Sequence, residues 1–122
     1  MRRSPTLVLA ALGTFAALAA TNARSAHAET TPTSTVTQLM LLEPGDSSYR
    51  LFHGALWLVL DKASTNYRWG GLQCKGRELS ETSVQILYAA YRNGDQVTLE
   101  YVTSEYNQKQ FRCVTGFTIA KP

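Results

Sequence analysis

Apolar and polar positions divide the chain into one long apolar run and, after it, a series of short runs broken by turn residues. The long run, Thr6 to Ala20, follows the positive pair Arg2-Arg3 and leads to Ala26-His27-Ala28, a small-residue A-x-A site. These are the three parts of a cleavable export signal, with the cut expected before Glu29. A membrane anchor needs roughly 20 apolar residues. This run is shorter and is interrupted by Gly13 and Thr14, so no membrane insertion is expected after cleavage. The expected organisation is a signal peptide over 1–28, a flexible Thr/Ser/Pro leader over 29–35, and one domain over 36–122.

Within that domain, Val36 to Leu42 is apolar and strand-like, and Glu43-Pro44-Gly45-Asp46 ends it. A second strand is expected over Tyr49 to Leu60, with Phe52, Leu56, Leu58 and Leu60 on one parity and Gly54 marking a bulge or bend. Asp61 to Asn66 reads as a polar turn, and Tyr67 to Cys74 as a third strand in which Gly70-Gly71 marks a bend or a close approach of backbones. Ser80 is a good N-cap, Glu81 suits the positive end of a helix dipole, and Leu79 with Val84 has the spacing of a hydrophobic staple. A helix is therefore expected to about Arg92, burying Val84, Leu87, Tyr88 and Tyr91, with Asn93-Gly94 as its left-handed stop. Val97, Leu99 and Tyr101 then alternate with polar residues as in a half-buried strand. Ser104 to Lys109 is a polar connection, and a last strand over Phe111 to Ile119 is expected to put Phe111, Cys113, Thr115, Phe117 and Ile119 on one face.

This order predicts an α+β, mostly β fold: a small five-stranded OB-like barrel with one helix between strands 3 and 4. Together with an export signal and two cysteines, it resembles the B subunits of bacterial AB5-type toxins. The similarity is one of layout, closest over Leu79 to Tyr101, LSETSVQILYAAYRNGDQVTLEY, a capped apolar helix turning into an alternating strand. The resemblance implies a homo-oligomeric ring that binds glycans. It carries no sugar-binding motif that can be matched position by position.

Cleavage changes the charge picture. Of 12 Lys and Arg residues, Arg2, Arg3 and Arg24 leave with the signal, so nine basic residues face nine acidic ones. The basic excess belongs to the precursor, which argues against a nucleic-acid partner. About 94 residues bury only about 60 to 70% of their unfolded surface, so a staple helps. Cys74 and Cys113 are the only cysteines, and an exported chain meets an oxidising compartment, secreted or periplasmic. A disulfide between them is the expected state.

Candidate chemistry is sparse. His53 is the one histidine beyond the cut, lies inside an apolar run and has no nucleophile elbow beside it, so no catalytic residue is assigned. Glu78, Glu81, Glu100 and Glu105 are read as surface charges and not as a glycosidase pair. No metal or cofactor motif is present in the sequence pattern. Asn66-Tyr67-Arg68-Trp69 combines aromatic faces with a guanidinium and an amide, the mixture that sugar or peptide sites use, although the favoured reading of Tyr67 and Trp69 is core or interface packing. Tyr106, in the polar Ser104 to Gln110 stretch, is a second ligand-binding candidate. The apolar run Ile86 to Tyr91 leaves open either a second copy packed on the helix or an exposed face of good helix formers. The expectation is an exported, non-enzymatic binding module for a glycan or protein partner. The competing reading is a monomeric periplasmic interaction or inhibitor protein, with an enzyme third.

Overall fold

The computed structural model describes residues 27–122; the expected export signal, up to residue 26, lies outside the described residues. A two-residue strand, β1 (Glu29–Thr30), precedes β2 (Ser34–Leu41), β3 (Gly54–Leu60) and β4 (Ala63–Trp69). The single described helix, α1 (Glu81–Asn93), then leads to β5 (Gln96–Tyr106) and β6 (Lys109–Ala120). β2, β3 and β4 form an antiparallel meander, β4 meets β6 in parallel, β6 pairs with β5, and β5 returns to β2. The result is a closed five-stranded barrel with one helix.

That helix falls between the fourth and fifth strands, not between the third and fourth as expected. The added strand is β1, made from residues read as a leader. Glu29 and Thr30 pair with Tyr101 and Glu100. Next to them, Thr31 donates its N–H to Leu99 O at 2.9 Å and its hydroxyl accepts from Leu99 N–H at 3.0 Å, imitating a ladder pair where Pro32 prevents one from continuing. Ser34 and Thr35 complete the edge against Val97 and Gln96.

Both hairpins are tighter than the polarity of the chain suggests. Asp61-Lys62 and Asn107-Gln108 have φ of 55° and 67°, and 55° and 66°, which is the left-handed pair of a two-residue turn whose twist matches the strands. Residues 63–66 and 104–106, expected as loop, therefore lie on strands. At the other end of β3 the chain curls. Asp46 Oδ1 accepts from Ser48 N–H, and Leu51 and Phe52 donate back to Ser48 O, so 46–52 is a run of turns and the strand starts only at Gly54. Gly54 is not a bulge. A Cβ there would lie 2.3 Å from Trp69 Cζ2, so the glycine admits the indole that faces it across the β3–β4 pair. β4 likewise ends earlier than expected, because Gly70 and Gly71 adopt φ of 76° and 74° and pass against the chain at His53 and Leu51.

The barrel is filled by Leu56, Leu58, Tyr67, Trp69, Val97, Leu99 and Val114, with Leu87 and Ala90 of α1 closing one end. Thr115 is an extra residue on β6, since Glu100 pairs with Gly116 but Tyr101 pairs with Val114. The bulge makes Val114 the inward residue and leaves Thr115 exposed, while Cys113 and Phe111 fall on the opposite face, in a second buried cluster with Cys74 and Val102, so β6 does not keep the single parity expected of it. Ser80 caps α1 by accepting from Ser83 N–H, and Gly94 ends it in the left-handed conformation. The helix buries Leu87 and Ala90 but leaves Ile86, Tyr88 and Tyr91 40–48% exposed, so the expected stripe is rotated toward the small Ala90, which lets the helix approach closely. No described helix is long and apolar enough to cross a membrane.

Candidate functional site

The seam between β4 and β6 consists of one paired position, Arg68 with Cys113. Cys113 is bonded to Cys74, with Cα atoms 5.6 Å apart, and both sulfurs are fully buried beside Val102 and Phe111. The disulfide thus fastens the segment after β4 to the strand that closes the barrel, and it does so next to Arg68.

Alternation along β4 divides the Asn66-Tyr67-Arg68-Trp69 candidate. Tyr67 and Trp69 point into the barrel, each 2% exposed, and are core. Arg68 points outward, into an open cleft of about 810 Å³. One wall is Arg50 and Leu51, from the turns before β3. Gln73 forms the floor beside Arg68, and the β5–β6 hairpin supplies Tyr106 through Lys109 together with Phe111. Of the sequence candidates, the cleft brings together Arg68 and Tyr106. Asn66 shares the outward parity of Arg68 but does not line the cleft, and its main-chain carbonyl accepts from Arg112 Nε at 3.3 Å.

Arg68 is held by packing. Its guanidinium carbon is 4.2 Å from the Phe52 ring centroid and 5.1 Å from that of Phe111, a cation between two aromatic faces. One terminal nitrogen donates to Gln73 Oε1. Gln73 is 7% exposed and anchored by its own N–H to Leu51 O, while Leu72 N–H donates to Arg50 O. Arg68 Nε is buried and has no acceptor among the described residues. Burial also lowers the Arg68 pKa from the ordinary arginine value, since a partly dehydrated guanidinium holds its charge less readily.

Arg50, Phe52, Gln73, Lys109 and Phe111 were not singled out from the sequence. Phe52 and Phe111 read as strand-face residues, and nothing local ties them to Arg68. The available signal was the disulfide: joining Cys74 to Cys113 necessarily brings Gln73 to the neighbourhood of Phe111.

Two other groupings are present. At one end of the barrel the Tyr101 hydroxyl donates to Glu29 Oε1 at 3.1 Å, the Tyr67 ring meets Tyr101 edge-on at 5.1 Å, and Arg112 lies 5.5 Å from the Tyr67 centroid. Burial is the main cause of the raised pKa of both phenols, and the Glu29 hydrogen bond adds to it at Tyr101. A smaller hollow of about 280 Å³ contains His53, stacked on Tyr49 with centroids 4.1 Å apart, beside Glu43 and Glu81. Its lining includes no Ser, Thr or Cys. Glu78, Glu81, Glu100 and Glu105 are all exposed. Among the described residues no group of three or more His, Cys, Asp and Glu is placed to hold a metal ion. No protein family model, curated protein or solved structure matches this chain.

Proposed function

We propose that this chain is an exported, non-enzymatic binding module that takes a glycan in the cleft over Arg68. The observation that carries the proposal is the guanidinium pinned between Phe52 and Phe111 at the base of an open cleft rimmed by Tyr106, Asn107 and Gln108. Aromatic and apolar faces suit the C–H faces of a sugar ring, while amides, a phenol and a fixed cation suit its polar groups. The bonded cysteine pair supports an oxidising destination, secreted or periplasmic. The ring order β2-β3-β4-β6-β5 supports an OB-like barrel, since among the five barrel strands themselves the helix follows the third. That order, with the exposed Ile86, Tyr88 and Tyr91, is compatible with the oligomeric toxin-subunit layout that the sequence resembles.

The same exposed helix flank favours the second reading, a monomeric periplasmic interaction or inhibitor protein that docks a protein partner there. A glycan array combined with light scattering of the processed, exported chain separates the two. The glycan reading expects binding that is lost in Phe111→Ala while the fold, followed by circular dichroism, is retained. A monomer that binds no glycan overturns it in favour of the protein-partner reading.

A further inference from the structure

The charges around the cleft narrow its ligand. Beyond the expected cut the chain has as many acidic as basic residues, yet Arg50, Arg68 and Lys109, from three separate segments, all line this one cleft, and no Asp or Glu lines it. Arg68 at its base is the least hydrated of the three. Two aromatic rings displace water from its faces, Gln73 takes one terminal nitrogen, and Nε is left without an acceptor among the described residues. A guanidinium carries five donors in a rigid fork. Gln73 fixes the plane of that fork, and the donors turned to the cleft remain open to an incoming oxyanion, which gains most where a cation is poorly solvated. Arg50 and Lys109, both exposed on the rim, add long-range attraction.

Building on the glycan reading above, we infer that the ligand is an acidic sugar, one whose carboxylate or sulfate ester sits on Arg68 between Arg50 and Lys109. Tyr106, Asn107 and Gln108 then face the neutral part of the same ligand, its hydroxyls and ring.

The test uses the processed, exported chain and two matched pairs of probes. One pair is a uronic-acid oligosaccharide and its methyl ester; the other is a sulfated oligosaccharide and its desulfated form. Binding is measured by calorimetry in low and in moderate salt. The acidic member of one pair is expected to bind at least about tenfold more tightly than its neutral partner, with affinity falling as salt rises. Which pair responds identifies the charged group. The exposed double variant Arg50→Gln/Lys109→Gln, which leaves the barrel core untouched, is expected to lose about tenfold for that acidic probe and nothing for a neutral one. Arg68→Lys keeps the charge but not the fork, and it too is expected to weaken the acidic probe. Neutral members binding as tightly as acidic ones would overturn the charge inference and leave the glycan reading standing. A chain that binds neither these four probes nor any array glycan loses both.

Discussion

Replacing both Cys74 and Cys113 by Ala tests the structural argument at its most consequential point. The bond closes a loop of 39 residues in sequence separation. The chain-entropy account gives such a closure about 4 kcal/mol at 25 °C. Both sulfurs are fully buried against Val102 and Phe111, so removing them also leaves a small void costing about 1 to 2 kcal/mol. A small domain has a total stability of only about 5 to 15 kcal/mol, so the variant should lie near the edge of folding. Urea unfolding followed by the fluorescence of Trp57 and Trp69 measures the loss, and the slope of the transition should rise because the unfolded chain is no longer cross-linked. Reduction of the unmutated protein separates the two contributions, since it opens the loop but retains the sulfurs. The seam should also loosen before the barrel melts. β4 and β6 share a single paired position, and Phe111 keeps its place over Arg68 through its neighbour Cys113, so ligand binding should weaken in urea concentrations that leave the fluorescence native. A loss below about 1 kcal/mol in both the variant and the reduced protein would refute the reasoning, because the seam would then stand without its staple.

Two further outcomes follow from the packing and the titrating groups. Gly54→Ala places a Cβ 2.3 Å from Trp69 Cζ2 and 2.9 Å from the Met40 carbonyl, and neither the buried indole nor the β2 backbone can retreat. It should cost about 3 kcal/mol in denaturant unfolding, with a visible change in the near-ultraviolet dichroism of Trp69. At high pH, Tyr67 and Tyr101 hold their protons more tightly in the folded chain than in the unfolded one. Their contribution is therefore complete below the ordinary tyrosine value of about 10 and is lost as pH rises through the folded values. Unfolding temperatures at pH 8, 10 and 11 should show that alkaline decline, and Tyr67→Phe/Tyr101→Phe should flatten it; an equal decline in the variant would rule out these phenols as its source.

What could be read from the chain was what local chemistry determines. Ser80 and Gly94 bound the helix because capping is decided within one turn, and β4 parity placed Tyr67 and Trp69 opposite Arg68 because alternation needs no partner. The hairpins were missed for a related reason. Lys62 and Gln108 stand in left-handed turn positions that their side chains do not advertise, so only the partner strand reveals that 63–66 and 104–106 are paired. The bulge at Thr115 belongs to the same class, since an extra residue exists only relative to the opposite register. The cleft depends on both kinds of information. Its aromatic clamp joins Phe52, from a curl nucleated by Asp46 and Ser48, to Phe111, from a strand some 59 positions later, and a parity argument cannot see either contact. Half of it was nevertheless implied. Once Cys74 is joined to Cys113, Gln73 and Phe111 must lie close together; that Arg68 joins them is known only from the β4–β6 register, which pairs it with Cys113. A covalent long-range constraint read from two cysteines thus carries more about the site than the aromatic-rich motif itself, two of whose four residues are consumed by the core.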